Sequence, residues 1–323
     1  MEKENLNNRL LAFLQDKYPQ KKTLANVLSE LLTIEKESIY RRLRKEVPFT
    51  LNETEQIAKG LNISIDALIG SSLKQYNPIT SKESITDVSR EDANYRVLVN
   101  YVNKIGEISL QPNSEHAEAL NFIPLGLCMN YPHIAKFLVY RFLYLFGDNA
   151  FSMPFEAYTI SDRLQEEFLR MEYYLKNISN TLYIWDPSVI SHLIDNIHYF
   201  TDIELINIKD ANQLKKELLR FLDNLEKYAT NGQFRTGNKF SLFISGIHID
   251  FTHSYLCAGQ SYMSIMMTFI LQSITSFDKE NCMKLKSRIH CLQKLSTMIS
   301  QVAERERIEF FRDQRAIVET LIL

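Results

Sequence analysis

Residues 36 to 45, KESIYRRLRK, form a dense group of basic side chains. Five basic residues stand against one acid, Glu37, so this segment carries a net charge of +4, whereas the whole chain carries −2. Because the overall charge is slightly negative, any contact with nucleic acid must come from such a local patch. A concentrated basic segment suits contact with phosphates, and its alternative interpretation is an ordinary solvated helix face.

The orientation of these side chains follows from helical geometry at about 100° per residue. If Ile39 and Leu43 face the core, then Glu37, Arg41 and Arg44 point outward. Arginine can pair with guanine and a carboxylate can accept from cytosine, so Glu37, Ser38 and Arg41 are predicted to read bases, and the lysines and Arg44 to contact phosphates. The predicted DNA-contacting residues are Lys21, Lys22, Lys36, Glu37, Ser38, Tyr40, Arg41, Arg44 and Lys45.

Five short helical patterns in residues 1–70 would position this segment. The second pattern runs from Thr23 to Leu32 and the third, the predicted recognition helix, covers about residues 35–46. The two or three residues between them match the spacing of a helix-turn-helix, whose second helix enters the DNA major groove. The fourth helix begins at a capping box, Thr50 to Glu53, and ends near Gly60. A fifth helix is predicted over residues 64–68.

The stretch ELLTIEKESIYRRLRKE, followed by TLNETEQIAKGLNISIDALIG, resembles the five-helix, phage-repressor-like (Xre-type) helix-turn-helix family. The S-x-Y-R-R-L-R run is similar to a group of regulators from Bacteroidetes that carry a long uncharacterised helical C-terminal region, as are IPLGLCMNYPHIAKF and DPSVISHLIDNIHYF. This resemblance implies a DNA-binding transcriptional regulator. The chain has Ser29 and Thr33 where the family commonly has alanine and glycine, and Leu43 lies one residue beyond the usual hydrophobic position, which affects individual base contacts more than the domain itself.

The rest of the chain is predicted to be mostly helical. Only 9 glycines and 8 prolines occur in 323 residues, and both residues break helices. Residues 71–90 are polar and aperiodic and read as a linker, and Phe240 to Leu256 suggests a small β-hairpin. The predicted helical segments are 91–105, 114–121, 132–146, 155–176, 187–205, 210–230 and 262–318. The predicted fold class is therefore mainly α: a helix-turn-helix domain over 1–70, the linker, and a helical regulatory or oligomerisation domain over 91–323 with a β-hairpin.

Other motifs give weaker evidence for a metal site, an active site or a redox role. His248, Asp250 and His253 are the densest candidate metal ligands, but on a strand His253 faces away from the other two, so ordinary hairpin residues are favoured and no metal or cofactor is predicted. No nucleophile elbow, phosphate-binding loop or zinc motif occurs, so we expect no enzyme. Cys282 and Cys291 share a predicted helix, where buried structural thiols are favoured over a redox role.

Two features leave alternatives open. Aromatic clusters such as FLVYRFLYLF suit either an apolar ligand pocket, with Arg141 or Arg170 contacting an anion, or core packing, which is favoured. Near-heptad spacing between Cys282 and Ala316 suits either a dimerising helix or packing within the domain.

The function expected from these observations is a sequence-specific DNA-binding transcriptional regulator. Its N-terminus is polar and its longest uncharged stretch, Phe251 to Phe277, is interrupted by polar side chains, so we expect a cytoplasmic protein without a membrane span. Its partners would be double-stranded DNA, a second copy in a homodimer, and a small-molecule or protein effector. The alternative is a protein-interaction or scaffold protein whose small domain docks a protein partner. An RNA-binding regulator is a third alternative.

Overall fold

The computed structural model of the protein describes residues 5–61, 63, 65, 91–146, 153–269 and 272–321. The chain divides into two compact units, residues 1–78 and 79–323. The predicted linker, and the predicted fifth helix apart from Ile65, lie outside the described residues.

The N-terminal unit is helical. Its described helices are α1 (Leu6–Lys17), α2 (Lys21–Leu32), α3 (Lys36–Leu43) and α4 (Leu51–Leu61). α2 packs against the other three because its apolar stripe, including the fully buried Leu24 and Leu28, meets Leu14, Ile39 and Ile57 in one core. α2 begins two residues earlier than the sequence pattern predicts, and α3 ends three residues earlier.

The C-terminal unit combines helices with a sheet. Its described helices are α5 (Glu91–Ser109), α6 (Leu125–Cys128), α7 (Pro132–Phe146), α8 (Asp162–Lys176), α9 (Val189–Asp202), α10 (Ile208–Asn231), α11 (Lys279–Gln293) and α12 (Glu304–Glu319), with a 3₁₀ turn at Phe155–Ala157. Its described strands are β1 (Glu115–Leu120), β2 (Asn180–Trp185), β3 (Lys239–Ser245), β4 (His253–Ala258), β5 (Ser261–Phe269), β6 (Gln272–Ser276) and β7 (Ser296–Met298).

The described strands form one seven-stranded mixed sheet in the order β6-β5-β4-β1-β2-β3-β7. β1, β2 and β3 run parallel, whereas β4 and β7 pair antiparallel with β1 and β3. One face packs against a large core shared with α5, α7, α8, α9, α10 and α12, and the other packs against α11. Because β1 and β2 are parallel neighbours, their carboxyl ends lie side by side at the same end of the strands.

The prediction of a mainly α fold with a small β-hairpin is wrong, because the C-terminal unit is a mixed α/β structure. The scarcity of glycine and proline does not distinguish helix from sheet, since both residues are also depleted in strands. The segment 114–121, predicted as a helix, is the central strand β1, EHAEAL, whose alanines and leucine favour helix locally. Its place between β2 and β4 overrides that preference.

Two further predictions for this unit are corrected. Phe240 to Leu256 is not a hairpin: β3 pairs with β2 and β7, and β4 pairs with β1 and β5. The segment 262–318 is not one helix, because it contains most of β5, then β6, α11, β7 and α12. Since β7 lies inside the near-heptad segment, a continuous dimerising helix from Cys282 to Ala316 does not form.

The aromatic clusters fill the core, as the favoured interpretation expected. Phe137, Tyr140 and Phe155 are fully buried, and the Tyr140 and Phe155 rings meet edge to face at 5.3 Å between centroids. Edge-to-face pairs of this kind add to the stabilisation from burial alone.

No helix within the described ranges is long and apolar enough to cross a membrane.

Candidate nucleic-acid interface

A three-residue connection sets the angle between α2 and α3. Thr33 ends α2 in the left-handed conformation, at φ 55°, which is uncommon for a β-branched residue and is usually taken by glycine. The Ser29 hydroxyl donates a hydrogen bond to the Ile34 carbonyl at 2.7 Å and so closes the turn. Thr33 therefore lies in the turn itself, and Ser29, from within α2, closes it by a side-chain hydrogen bond.

The outward face of α3 carries the charged side chains that the helical geometry predicted. The Glu37, Arg41 and Arg44 side chains are 71%, 56% and 53% exposed, while Ile39 is fully buried beneath them. The lysines predicted to contact phosphates are also exposed: Lys21, Lys22, Lys36 and Lys45. Lys21 and Lys22 lie in the first turn of α2, and Lys45 follows α3 in a left-handed conformation at φ 65°.

Ser38 and Tyr40 are less accessible than the other predicted contacts. Both are half-buried, and Tyr40 packs against the core of the N-terminal unit. Leu43 also packs against this core from the end of α3. The apolar anchor of α3 therefore consists of Ile39 with Tyr40 and Leu43 beside it.

Acidic residues engage the exposed arginines. Arg44 donates to Glu46 at 2.7 Å and lies 3.2 Å from Glu37, and Arg41 lies 3.5 Å from Glu46. The hydrogen bond from Arg44 holds the pKa of Glu46 below its ordinary value, so this acid stays ionised at neutral pH. Surface pairs of this kind contribute little to stability and exchange readily. A phosphate can therefore replace either acid as the partner of Arg44.

Arg42 belongs to the structure of the unit and not to its exposed face. It donates to both carboxylate oxygens of Glu53, at 2.6 and 3.1 Å, and the two side chains are each only 15% exposed. Its third hydrogen bond goes to the Ser38 carbonyl at 3.0 Å. Burial opposes ionisation of Glu53, but its bonds from Arg42 and Thr50 outweigh burial and hold the pKa below its ordinary value.

The capping box at the start of α4 is confirmed. The Thr50 hydroxyl accepts from the Glu53 amide at 3.2 Å, and the Glu53 carboxylate accepts from the Thr50 amide at 2.8 Å. Glu53 thus caps α4 and pairs with Arg42 of α3 at the same time. Sequence spacing identified the cap but missed the ion pair, because two residues eleven positions apart on different helices show no periodic relation.

The histidines and cysteines singled out in the sequence have different environments, and the expectation of buried thiols is met by Cys282 but not by Cys291. His248 lies in the loop between β3 and β4, not on a strand, and its Nδ1 lies 3.3 Å from the buried Asp186 carboxylate. Within the described segments, no three His, Cys, Asp or Glu side chains are grouped closely enough to hold a metal ion. Cys282 is buried and Cys291 exposed, both on α11, and they share no bond.

Residues 3–102 match the family model of the BetR domain, a helix-turn-helix-like domain associated with DNA binding. The match covers the N-terminal unit and extends into α5. No curated protein and no solved structure matches the chain. The comparison supports the coarser part of the resemblance, a DNA-binding domain of helix-turn-helix type. Its Xre type and the Bacteroidetes group remain predictions.

Proposed function

We propose that the protein is a sequence-specific DNA-binding transcriptional regulator in which α3 is the recognition helix. The observation that supports this most directly is the match to the BetR domain, together with an α2-turn-α3 arrangement that leaves Arg41, Arg44 and Lys36 exposed to solvent. A helix of this kind places its outward residues against base edges in the major groove.

The first turn of α2 supplies a second line of argument. Lys21 and Lys22 lie at the positive end of the helix dipole, where cations are unfavourable and anions favourable. α2 has no side-chain hydrogen bond at its N-cap, Gln20, so its first amides are available to an acceptor. A backbone phosphate at this position would meet the helix N-terminus and two ammonium groups. Lys21 and Lys22 would then fix the register of α3 in the groove.

The test is binding of the full-length protein to fragments of its own upstream DNA, measured in a salt series. The wild type is expected to protect a discrete site, with affinity falling steeply as salt rises because each phosphate contact releases counterions. The variant Arg41→Ala with Arg44→Ala is expected to lose about 30-fold or more in affinity, since each arginine contact contributes roughly 1–3 kcal/mol and two are removed.

A control variant distinguishes the effect of losing positive charge from the effect of losing it on α3. Arg305→Ala with Arg312→Ala removes two arginines from α12 in the C-terminal unit that are more exposed than Arg41 and Arg44, and it is expected to leave the footprint unchanged. If both double variants weaken binding equally, α3 is not the recognition helix. The length of the protected site also tests the proposed homodimer, because two half-sites lie about one helical turn of DNA apart.

The alternative class, a scaffold whose N-terminal unit docks a protein, is separated by the same salt series. Docking through an apolar surface changes little with salt, whereas DNA binding through several phosphates weakens steeply. Absence of any DNA binding at low salt would favour the scaffold. The proposed regulator is expected to act in the cytoplasm and to need neither a cofactor nor catalysis.

A further inference from the structure

A cavity of about 430 Å³ opens in the C-terminal unit at the carboxyl end of β1. Asn121, the residue directly after β1, lines it together with residues 250–252 from the loop before β4. Ligands of α/β sheets bind beyond the carboxyl ends of parallel strands, and small-molecule sites usually have volumes of roughly 300–1,000 Å³. Both the place and the size of this cavity are those of a small-molecule site.

Arg141 of α7 lines this cavity, and no partner for it occurs among the described residues. The described residues give its guanidinium no hydrogen bond and no ion pair, and burial lowers its pKa. Arg170, the other candidate for an anion contact, donates instead to Glu167 and Asn103 at 2.6 and 2.8 Å. A partly buried guanidinium without a partner loses hydrogen bonds to water that no protein group replaces. A ligand carboxylate would replace them with two parallel hydrogen bonds.

The other residues that line the cavity indicate what the rest of the ligand is like. Phe122, Phe142, Leu145 and Phe251 contribute apolar surface to the lining that also contains Arg141. Asn196 of α9 adds a polar side chain, whose amide nitrogen donates to the His192 carbonyl. An apolar body attached to one anionic group fits this arrangement.

Two acids restrict the charge of the ligand. Asp195 and Asp250 also line the cavity, and both are exposed to solvent. Neither forms an ion pair with Arg141. These two carboxylates repel negative charge, so they disfavour a phosphorylated compound, which carries about two negative charges, more strongly than a monoanion.

We propose that this cavity binds a small monocarboxylate with an apolar or aromatic body, held through its carboxylate by Arg141. Binding itself stands independently of the proposed function, whereas a role of this ligand as an effector of DNA binding rests on that function. The ammonium group of an amino acid would face Asp195 and Asp250, so free acids and amino acids are two sources of the same carboxylate chemistry.

The experiment is calorimetric titration of the full-length protein, without DNA, using five probes: phenylacetate, 3-phenylpropionate, L-phenylalanine, phenethylamine and benzyl phosphate. At least one carboxylate is expected to bind more tightly than phenethylamine, which lacks the carboxylate and can pair only with Asp195 and Asp250. Stronger binding of L-phenylalanine than of 3-phenylpropionate would identify amino acids as the source, and the reverse order free acids. Benzyl phosphate, a dianion, is expected to bind more weakly than either carboxylate.

Two variants keep the test decisive. Arg141→Met is expected to weaken carboxylate binding at least about tenfold, because it removes a charge-assisted bidentate contact. Leu145→Trp fills the cavity from a half-exposed position and should block binding while leaving Arg141 in place. Each variant is compared with the wild type for its thermal transition, so that unfolding is recognised. Binding of no carboxylate, or binding that neither variant weakens, would overturn the proposal.

Discussion

Arg41 and Arg42 are neighbours in the sequence, but the structure gives them different roles. Arg41 is more than half exposed and points away from the core, whereas Arg42 makes three hydrogen bonds that join α3 to itself and to α4. Removing one partner of a largely buried pair leaves the other charge unsatisfied. The two arginines therefore provide a matched pair that separates DNA contact from stability.

Arg42→Met is expected to lower the free energy of unfolding of the N-terminal unit by about 2 kcal/mol, because Glu53 loses its charged donor in a site shielded from water. Arg41→Met is expected to change it by less than about 0.5 kcal/mol, as exposed substitutions usually do. Hydrogen exchange of the α3 and α4 amides in the full-length protein measures both effects. Equal losses of unfolding free energy in the two variants would show that the Arg42–Glu53 ion pair does not stabilise the N-terminal unit more than an exposed arginine does.

At the level of secondary structure, the N-terminal unit was more predictable than the C-terminal unit for a physical reason. α1, α2 and α4 each expose one face to water, so their apolar residues recur at helical spacing, and the Thr50–Glu53 cap marks a boundary locally. The basic outward face of α3 follows from the same geometry. The left-handed backbone at Thr33, the hydrogen bond from Ser29 and the ion pairs of Arg44 with Glu37 and Glu46 could not be predicted from the sequence, because they depend on the three-dimensional arrangement.

The strands of the C-terminal unit lacked such a local signal. β1 and β2 are central and covered on both faces, so they show no alternation of polar and apolar residues to distinguish them from short buried helices. Strand pairing is also non-local: β1 pairs with β4 across more than 130 residues. The Arg141 cavity lies at the carboxyl end of β1, so its position depends on this sheet. From the sequence, Arg141 could be identified only as one of two candidate arginines for an anion contact.

The same sheet carries a half-buried acid. Glu118 on β1 stands opposite Tyr183 on β2, and burial raises its pKa to about 8 from an ordinary value of 4.5. The folded protein then holds a proton that the unfolded chain releases, so stability falls as pH rises from about 4.5 to about 8. His116 on the same strand acts at lower pH, since burial lowers its pKa to about 3 from 6.5. Between pH 6.5 and pH 8, of these two groups only Glu118 contributes.

Glu118→Gln is therefore expected to flatten the fall in thermal stability between pH 6.5 and pH 8, because the amide is neutral at every pH. Trp185, the single tryptophan of the chain, is fully buried at the end of β2, and its fluorescence reports unfolding of this unit. Glu166→Gln on the exposed side of α8 is the control and should keep the wild-type slope. Identical slopes in wild type and Glu118→Gln would mean that Glu118 ionises normally in the fold.

At the scale of the whole molecule, the basic surface lies in residues 1–78 and the Arg141 cavity in residues 79–323. A regulator with this division needs a coupling free energy between its two sites, and thermodynamic linkage makes that coupling reciprocal. If a carboxylate changes the affinity for DNA, then DNA must change the affinity for the carboxylate by the same factor. This equality is a stronger criterion than a change in either affinity alone.

The final prediction applies that criterion to the proposed effector. A carboxylate that binds the cavity is expected to change the dissociation constant for upstream DNA by about 5- to 150-fold, the usual range of allosteric coupling, in either direction. Titration of the protein-DNA complex with the same carboxylate should show an equal factor. Leu145→Trp should bind DNA as the wild type does without carboxylate and should not respond when carboxylate is added. If the carboxylate binds but DNA affinity stays constant, the cavity is a ligand site without a regulatory role. If DNA does not bind under any condition, the proposed regulator fails while the cavity proposal stands on its own titration.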